Sequence, residues 1–206
     1  TDEALEISSS ASPRTLVVRG SGDVKISGKI SGTGSVNKGG TGTLTLANAA
    51  NAYTGVTALH GGTIAFNKIA DGGAPCSLGA AQEFAQNWVW NGGTWKYTGA
   101  SASTNRSANL LSNTQLYINF SSATLTMSGK LQGNGGLTLA GNGTLKPITA
   151  AFFSYDGVTR LEGGTLHLEG VSTMWTDKNV TLGTANKVIM AGGTLTTKDA
   201  NDTYSS

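Results

Sequence analysis

Apolar and polar residues alternate in short runs along most of this chain. Leu44-Thr45-Leu46 and Leu166-His167-Leu168 are two clear examples. Because successive side chains of a β-strand point to opposite faces, such runs bury one row of side chains and expose the other. Residues 80–86 are the only candidate for a helix, and they lack a convincing helical period. The pattern therefore predicts many short strands.

A glycine motif introduces these strands at regular intervals. Gly-Gly-Thr followed by an alternating strand begins at Gly61, Gly92, Gly163 and Gly192. Glycine supplies the positive-φ corners between sheets, and spacings of roughly 20–30 residues match one coil of a solenoid. We therefore predict an all-β fold, a right-handed parallel β-helix whose coils stack because none can bury its apolar face alone. An antiparallel sandwich also has many short strands, and the repeated motif favours the solenoid.

A longer period lies over the coils. Residues 27–30 return as residues 128–131, and Tyr53–Thr57 returns as Tyr155–Thr159, at shifts of 101 and 102 residues. The four Gly-Gly-Thr motifs form two pairs at nearly the same shift. We therefore predict one β-helix module over residues 1–206 that contains two copies of a multi-coil unit. Its expected parts are an N-terminal cap at 1–15, a first unit at 16–115 and a second unit at 116–206.

Composition excludes several classes of protein. The chain has 30 glycines but 3 prolines and no Gly-X-Y period, so it is not collagen. Its net charge of +2, without a run of Lys or Arg, gives no reason to expect a nucleic-acid partner. The chain has no run of about 18 apolar residues, so we expect no membrane partner. Because the chain begins with Thr1, we expect a piece of a longer, covalently linked chain, and we expect it to be monomeric.

The titratable residues give little support for catalysis or metal binding. Glycoside hydrolysis needs paired carboxylates across a cleft, and no polygalacturonase-type motif accompanies the available ones. Two histidines and the single Cys76 do not build a zinc site, and no calcium-binding loop is present. We expect no catalytic residue, no metal and no cofactor, with a β-helical lyase or hydrolase as a third alternative. The carboxylates considered are Asp156, Glu162, Glu169 and Asp177.

Aromatic residues are the strongest candidates for ligand binding. Indole rings present a large apolar face that suits the C–H face of a sugar. Alternation places Trp95 and Tyr97 on the inner face of their strand, so core and surface positions both remain open for them. Trp175 lies in a polar stretch and is expected to be exposed. The predicted carbohydrate-binding residues are Trp175, Trp88, Trp90, Trp95, Tyr97, Lys96, Asn91, Asp177 and Lys178.

A second aromatic cluster follows Pro147. Phe152, Phe153 and Tyr155 fall within residues 146–156, a segment that has the composition of an inserted loop. Loops carry function more often than cores do. The alternative is that these rings cap the edge of a coil.

The segments Gly42–Thr57, Gly61–Ile64 and Trp88–Gly99 resemble the passenger-associated repeat of bacterial autotransporters. This resemblance implies a β-solenoid in a secreted or cell-surface bacterial protein, although no protease motif is present. The chain also resembles β-helical carbohydrate-binding modules attached to xylan-degrading enzymes of gut Bacteroidetes. We therefore predict a non-catalytic carbohydrate-binding module for a plant cell-wall polysaccharide such as xylan. The alternative is a structural passenger or adhesin segment of an autotransporter-like surface protein.

Overall fold

The computed structural model describes residues 5–7, 12–149, 152–168, 188–197 and 203–205 of the 206-residue chain. Within these residues no helix is long and apolar enough to span a membrane. The elements are β1 (Leu5–Glu6), β2 (Thr15–Val18), β3 (Val24–Ile26), β4 (Ile30–Ser31), β5 (Ser35–Lys38), β6 (Thr43–Leu46), β7 (Thr57–Leu59), β8 (Thr63–Phe66), a 3₁₀ turn (Ala85–Asn87), β9 (Trp88–Asn91), β10 (Thr94–Tyr97), β11 (Ala102–Thr104), β12 (Ala108–Ser112), β13 (Thr114–Ile118), β14 (Thr124–Met127), β15 (Leu131–Gly133), β16 (Leu137–Gly141), β17 (Thr144–Pro147), β18 (Phe153–Tyr155), β19 (Thr159–Leu168), β20 (Val188–Thr197) and β21 (Thr203–Ser205).

Most strands stack into three parallel ladders, which we name sheets I, II and III, and β1 and β4 form a separate two-stranded parallel sheet. Sheet I has seven strands in the order β2-β5-β7-β9-β12-β15-β18. Sheet II runs β3-β6-β8-β10-β13-β16 and ends on the first half of β19, while sheet III runs β11-β14-β17 and ends on the second half of β19. β20 pairs in parallel with both halves of β19, and β21 pairs antiparallel with β20. The chain thus winds through about seven turns of a β-solenoid, which confirms the predicted fold class over an antiparallel sandwich.

Coil length is regular except at two places. Paired residues in neighbouring coils are mostly 20–23 residues apart. The step from Thr63 to Thr94 takes 31 residues, and the step from Thr165 to Thr194 takes 29. The extra residues of the first long coil fall within residues 67–87, which we call the insert. The two long coils lie about one sequence unit apart.

The duplicated sequence is out of phase with the coils. Four coils along sheet II lead from Thr43 to Thr138, yet the sequence counterpart of Thr43 is Thr144, on sheet III. The same offset moves Thr57, on sheet I, to Thr159, on sheet II. Each matching strand is therefore displaced by one sheet in the second copy. One unit spans about four and a third turns.

Inward-facing side chains form continuous rows through the stack. One row of sheet II consists of Leu44, Ile64, Trp95, Leu116, Leu139 and Leu161, all buried. Burial removes apolar surface from water at about 25 cal/mol per Å², and each residue also contacts its neighbours in the coils on either side. This row confirms the core position that alternation gave for Trp95.

The Gly-Gly corner between sheets I and II permits the close stacking of coils. Gly62 has φ of +67°, and a Cβ atom on it would lie 2.4 Å from the backbone oxygen of Gly42 in the coil before. Gly93, one coil further on, has φ of +74° and the same approach to Gly62. A side chain at these corners would push neighbouring coils apart. The Gly-Gly-Thr motif thus allows the close spacing of neighbouring coils.

Candidate functional site

Four of the five aromatic rings predicted to bind carbohydrate are buried in the core rather than exposed. Trp88 and Trp90 leave β9 toward the core, and Trp95 and Tyr97 leave β10 toward the same core, with at most 2% of each residue exposed. The inward rows of sheets I and II meet here, which brings the rings together. Buried rings cannot stack on a polysaccharide, so these residues form a structural cluster.

Trp88 packs edge to face against the other two indoles, while Trp90 and Trp95 stack on each other at 5.7 Å. Ring centroids lie 5.0 Å apart for Trp88 and Trp90 and 5.4 Å apart for Trp88 and Trp95, with interplanar angles of 77° and 87°. Such pairs contribute about 0.5–1.5 kcal/mol beyond area burial. Among the described residues, none accepts a hydrogen bond from the three indole nitrogens, which costs part of that gain. The hydroxyl of Tyr97 donates to Ala100 O at 2.5 Å.

The polar candidates Lys96 and Asn91 are on the outer surface but do not form a site with the rings. Lys96 Nζ lies over the ring of Tyr117, 5.5 Å from its centroid. Asn91 Nδ2 lies 3.2 Å from His60 Nδ1. Trp175, Asp177 and Lys178 lie outside the described residues. The second aromatic cluster, Phe152, Phe153 and Tyr155, is likewise buried and belongs to the core rather than to a surface loop.

The sequence analysis did not predict the burial of two cationic side chains, Lys38 and Arg106. Lys38 is 1% exposed, and its Nζ donates to Gly39 O at 2.6 Å and, at longer range, to Gly40 O and Gly61 O. Burial lowers the pKa of Lys38 below its usual value, and the negative charge of Asp23 partly offsets this shift. Lys38 therefore closes the Gly-Gly corner from within. The sequence signal for this burial was the period-two alternation of β5, which places Lys38 on the same inward face as Val36.

The other buried cation, Arg106, is 3% exposed and anchors the insert. Its guanidinium donates to four carbonyl oxygens of residues 70–79, with Nε to Ala70 at 3.0 Å and Nη2 to Gly79 at 2.9 Å. Longer contacts reach Asp71 O and Ala74 O. Carbonyls without strand partners are thereby satisfied, so the long coil folds back on the stack. Period-two alternation through Thr104, Arg106 and Ala108 marks the position as inward.

A concave surface lies where the insert leaves the stack. We call it the insert notch; its volume is about 180 Å³ and its lining residues are Asp71, Ser103, Thr104, Asn105, Thr126, Ser128 and Ile148. Successive coils supply these residues through the pairing of β11 with β14 and of β14 with β17. The insert notch is the candidate functional site, and no sequence motif predicts it.

Asp71 and Asn105 fix the floor of the notch by reciprocal hydrogen bonds. Asn105 N donates to Asp71 Oδ1 at 2.9 Å, and Gly72 N donates to Asn105 Oδ1 at 2.7 Å. The two residues are 34 positions apart in sequence and adjacent because the insert folds onto β11. Both side chains are therefore held in place before a ligand arrives.

The described residues do not assemble a metal or acid–base site. No group of three or more His, Cys, Asp or Glu side chains could hold a metal ion within the part of the chain that the structure describes. Glu162, one of the carboxylates considered, lies 2.7 Å from Arg160 Nε in an exposed ion pair. Asp177 and Glu169 lie outside the described residues. The hydrolase alternative gains no geometric support from these residues.

Comparison with known proteins gives one informative relative. The chain is 37% identical over 163 residues to the adhesin BmaC autotransporter of Brucella suis, a match that covers 77% of this chain and 5% of that protein. The chain therefore spans about one twentieth of that relative. No protein-family model matches the chain, and no solved structure matches it significantly. The likeness to carbohydrate-binding modules of xylanases gains no support, whereas the β-solenoid and the adhesin relative support the autotransporter passenger-repeat interpretation of this sequence.

Proposed function

We propose that this chain is a non-catalytic structural segment in the passenger of a bacterial autotransporter-like adhesin, exposed at the cell surface or secreted. The observation that carries the proposal is the 37% identity to an adhesin over 163 residues of this chain, whose described residues form a β-solenoid. The alternative function inferred from the sequence thus replaces xylan binding as the main proposal.

The architecture suits a load-bearing spacer. Seven strands form one continuous parallel ladder in sheet I, and the inward row from Leu44 to Leu161 continues through six strands of sheet II. In a solenoid each coil contacts only its neighbours, so length is added without a change in the packing. The described part of the chain would thus hold other parts of a longer passenger at a fixed distance.

Polysaccharide binding becomes a secondary proposal with a different basis. Trp88, Trp90, Trp95 and Tyr97 are buried, so an outer surface must supply the contacts. The insert notch is such a surface and is polar. A plant polysaccharide such as xylan is then one test ligand among several.

Segment exchange in the full-length protein tests the structural proposal. Residues 16–168 would be deleted in frame, or replaced by about seven coils of an unrelated β-solenoid, in cells that produce the whole protein. We expect antibodies against this chain to label intact cells, deletion to reduce adhesion to host cells, and the foreign coils to restore it. Failure to label intact cells would overturn the surface location. Failure of the foreign coils to restore adhesion would overturn the spacer role.

A further inference from the structure

We propose that the insert notch binds a neutral saccharide. This inference deepens the proposed function, on which it rests, by giving the surface segment a ligand class and a site. It depends on the hydrogen-bonding groups, the apolar contact and the charge of the notch.

The floor of the notch offers one hydrogen-bond acceptor and one donor. The hydrogen bond between Asn105 N and Asp71 uses Oδ1, and the bond from Gly72 N uses Asn105 Oδ1. Among the described residues, none is bonded to Asp71 Oδ2 or to Asn105 Nδ2. A carboxylate oxygen and an amide N–H₂ group suit sugar hydroxyls, which can donate to the first and accept from the second.

Hydroxyl groups line the wall of the notch. Ser103 and Thr126 are directly paired on β11 and β14, so their side chains stand in one outward row, about 4.8 Å apart. Ser128 Oγ lies 3.5 Å from Thr104 O, too long for a strong bond. These hydroxyls can each donate or accept, which suits a ligand whose own hydroxyls do the same.

Ile148 supplies the apolar contact that a sugar ring needs. It follows β17 and is 45% exposed, one of few large apolar residues on the described surface. Its backbone N donates to Met127 O at 3.0 Å, so its position is fixed by the stack. An aliphatic side chain beside convergent polar groups is the usual composition of a small-molecule site.

Charge favours a neutral sugar over an acidic one. Asp71 is the only charged residue among those that line the notch. Lys146 follows Thr126 in the outward row but does not line the notch. A uronate or sialate carboxylate would therefore meet a like charge with no lining cation to offset it.

Saturation-transfer NMR and calorimetry on this chain test the proposal. The probes are xylotriose, cellotriose, mannotriose, lactose and N-acetylchitotriose, with sialyllactose and trigalacturonate as acidic comparisons. We expect saturable binding of at least one neutral probe, with Kd of about 0.1–10 mM because the site is open. Ser103→Leu, which fills the notch, should weaken binding at least fivefold, and Asp71→Asn, which keeps the Oδ1 acceptor, about tenfold.

Gln132→Leu is the matched control, because Gln132 is also an exposed strand residue but lies on sheet I. It should leave affinity unchanged, and circular dichroism should be the same for all variants. Absence of binding to every neutral probe, preference for the acidic probes, or affinity that survives Ser103→Leu but is lost in Trp175→Ala would each overturn the notch proposal. None of these outcomes affects antibody labelling or segment exchange, so the failure of this proposal and that of the spacer role are distinguishable.

Discussion

Tyr53 and Tyr155 make the same hydrogen bond at two different corners of the coil. Tyr53 Oη lies 2.7 Å from Thr57 Oγ1, and Tyr155 Oη bonds Thr159 Oγ1. Thr57 of the first pair begins a strand of sheet I, and Thr159 of the second pair begins a strand of sheet II. The repeated sequence Tyr-x-Gly-Val-Thr therefore specifies a local turn, whichever sheet follows it.

The two tyrosines should make the protein sensitive to alkali. Burial raises the pKa of both hydroxyls above the usual 10.0, and the threonine bonds oppose this only in part. The unfolded chain releases these protons near pH 10 while the folded chain keeps them, so the free energy of unfolding falls as pH rises above that value. We expect the double variant Tyr53→Phe, Tyr155→Phe to be less stable at pH 8 by about 1–3 kcal/mol but to show a shallower decline above pH 10.

Urea denaturation at several pH values between about 8 and 11 measures this difference. The native protein and the double variant share every other titrating group, so subtraction isolates the tyrosines. If the free energy of unfolding declined equally with pH in the two proteins, the link between tyrosine ionisation and stability would be contradicted.

Removal of Arg106 should loosen the insert and destabilise the protein. Arg106→Met leaves the carbonyls of Ala70 and Gly79 without their cationic donor. We expect a loss of roughly 2–4 kcal/mol in the free energy of unfolding, and faster proteolysis within residues 67–84. Arg160→Met is the control because Arg160 forms an exposed pair with Glu162, which is worth about 0–1 kcal/mol. Equal losses of stability in Arg106→Met and Arg160→Met would contradict the role of Arg106 as the anchor of the insert.

The stacking of coils at the Gly-Gly corner is tested by two alanine variants. Gly62→Ala places a Cβ atom 2.4 Å from Gly42 O on a backbone with positive φ, so we expect a loss of more than about 1 kcal/mol. Gly22→Ala has no atom within 4 Å of the new Cβ and should change stability by less than about 0.5 kcal/mol. Thermal unfolding of both variants gives the comparison; a tolerated Gly62→Ala would refute the spacing role.

The indole cluster should matter for stability and not for glycan binding. Trp95→Leu introduces the residue found at the equivalent position 195 and leaves a cavity among Trp88, Trp90 and Phe66. We expect a loss of about 2–4 kcal/mol with unchanged retardation in affinity electrophoresis on any polysaccharide that the native chain binds. Loss of binding by a folded Trp95→Leu variant would restore the sequence-based site.

Alternation and the glycine motif were sufficient for the fold. They place Leu44, Ile64 and Trp95 in one inward row, and the structure confirms this arrangement. They could not decide between core and surface for Trp88 and Trp90, because large aromatic rings on a strand suit either face. The phase of the duplication was also hidden, since it depends on how many residues each coil takes, and that varies.

The insert notch could not be read from the sequence for a different reason. Asp71 and Asn105 meet where hydrogen bonds from Arg106 and Thr104 to Ala70 O hold the insert against β11. An arginine between Asn105 and Ser107 looks like an ordinary surface residue unless its inward alternation with Thr104 and Ala108 is noticed. Contacts made by an irregular segment follow no period, so periodicity predicts the frame and leaves the site unassigned.

The offset of one sheet per sequence unit has a consequence for any longer protein assembled from tandem copies. A feature borne by every copy would advance in azimuth by about 120° with each repeat, and about thirteen coils, or roughly 60 Å at ~4.8 Å per coil, would return it to the same side. Equivalent features would then follow a screw thread around the rod. A flat opposing surface could engage one copy in three, whereas a flexible partner chain could wrap around the rod and reach them all.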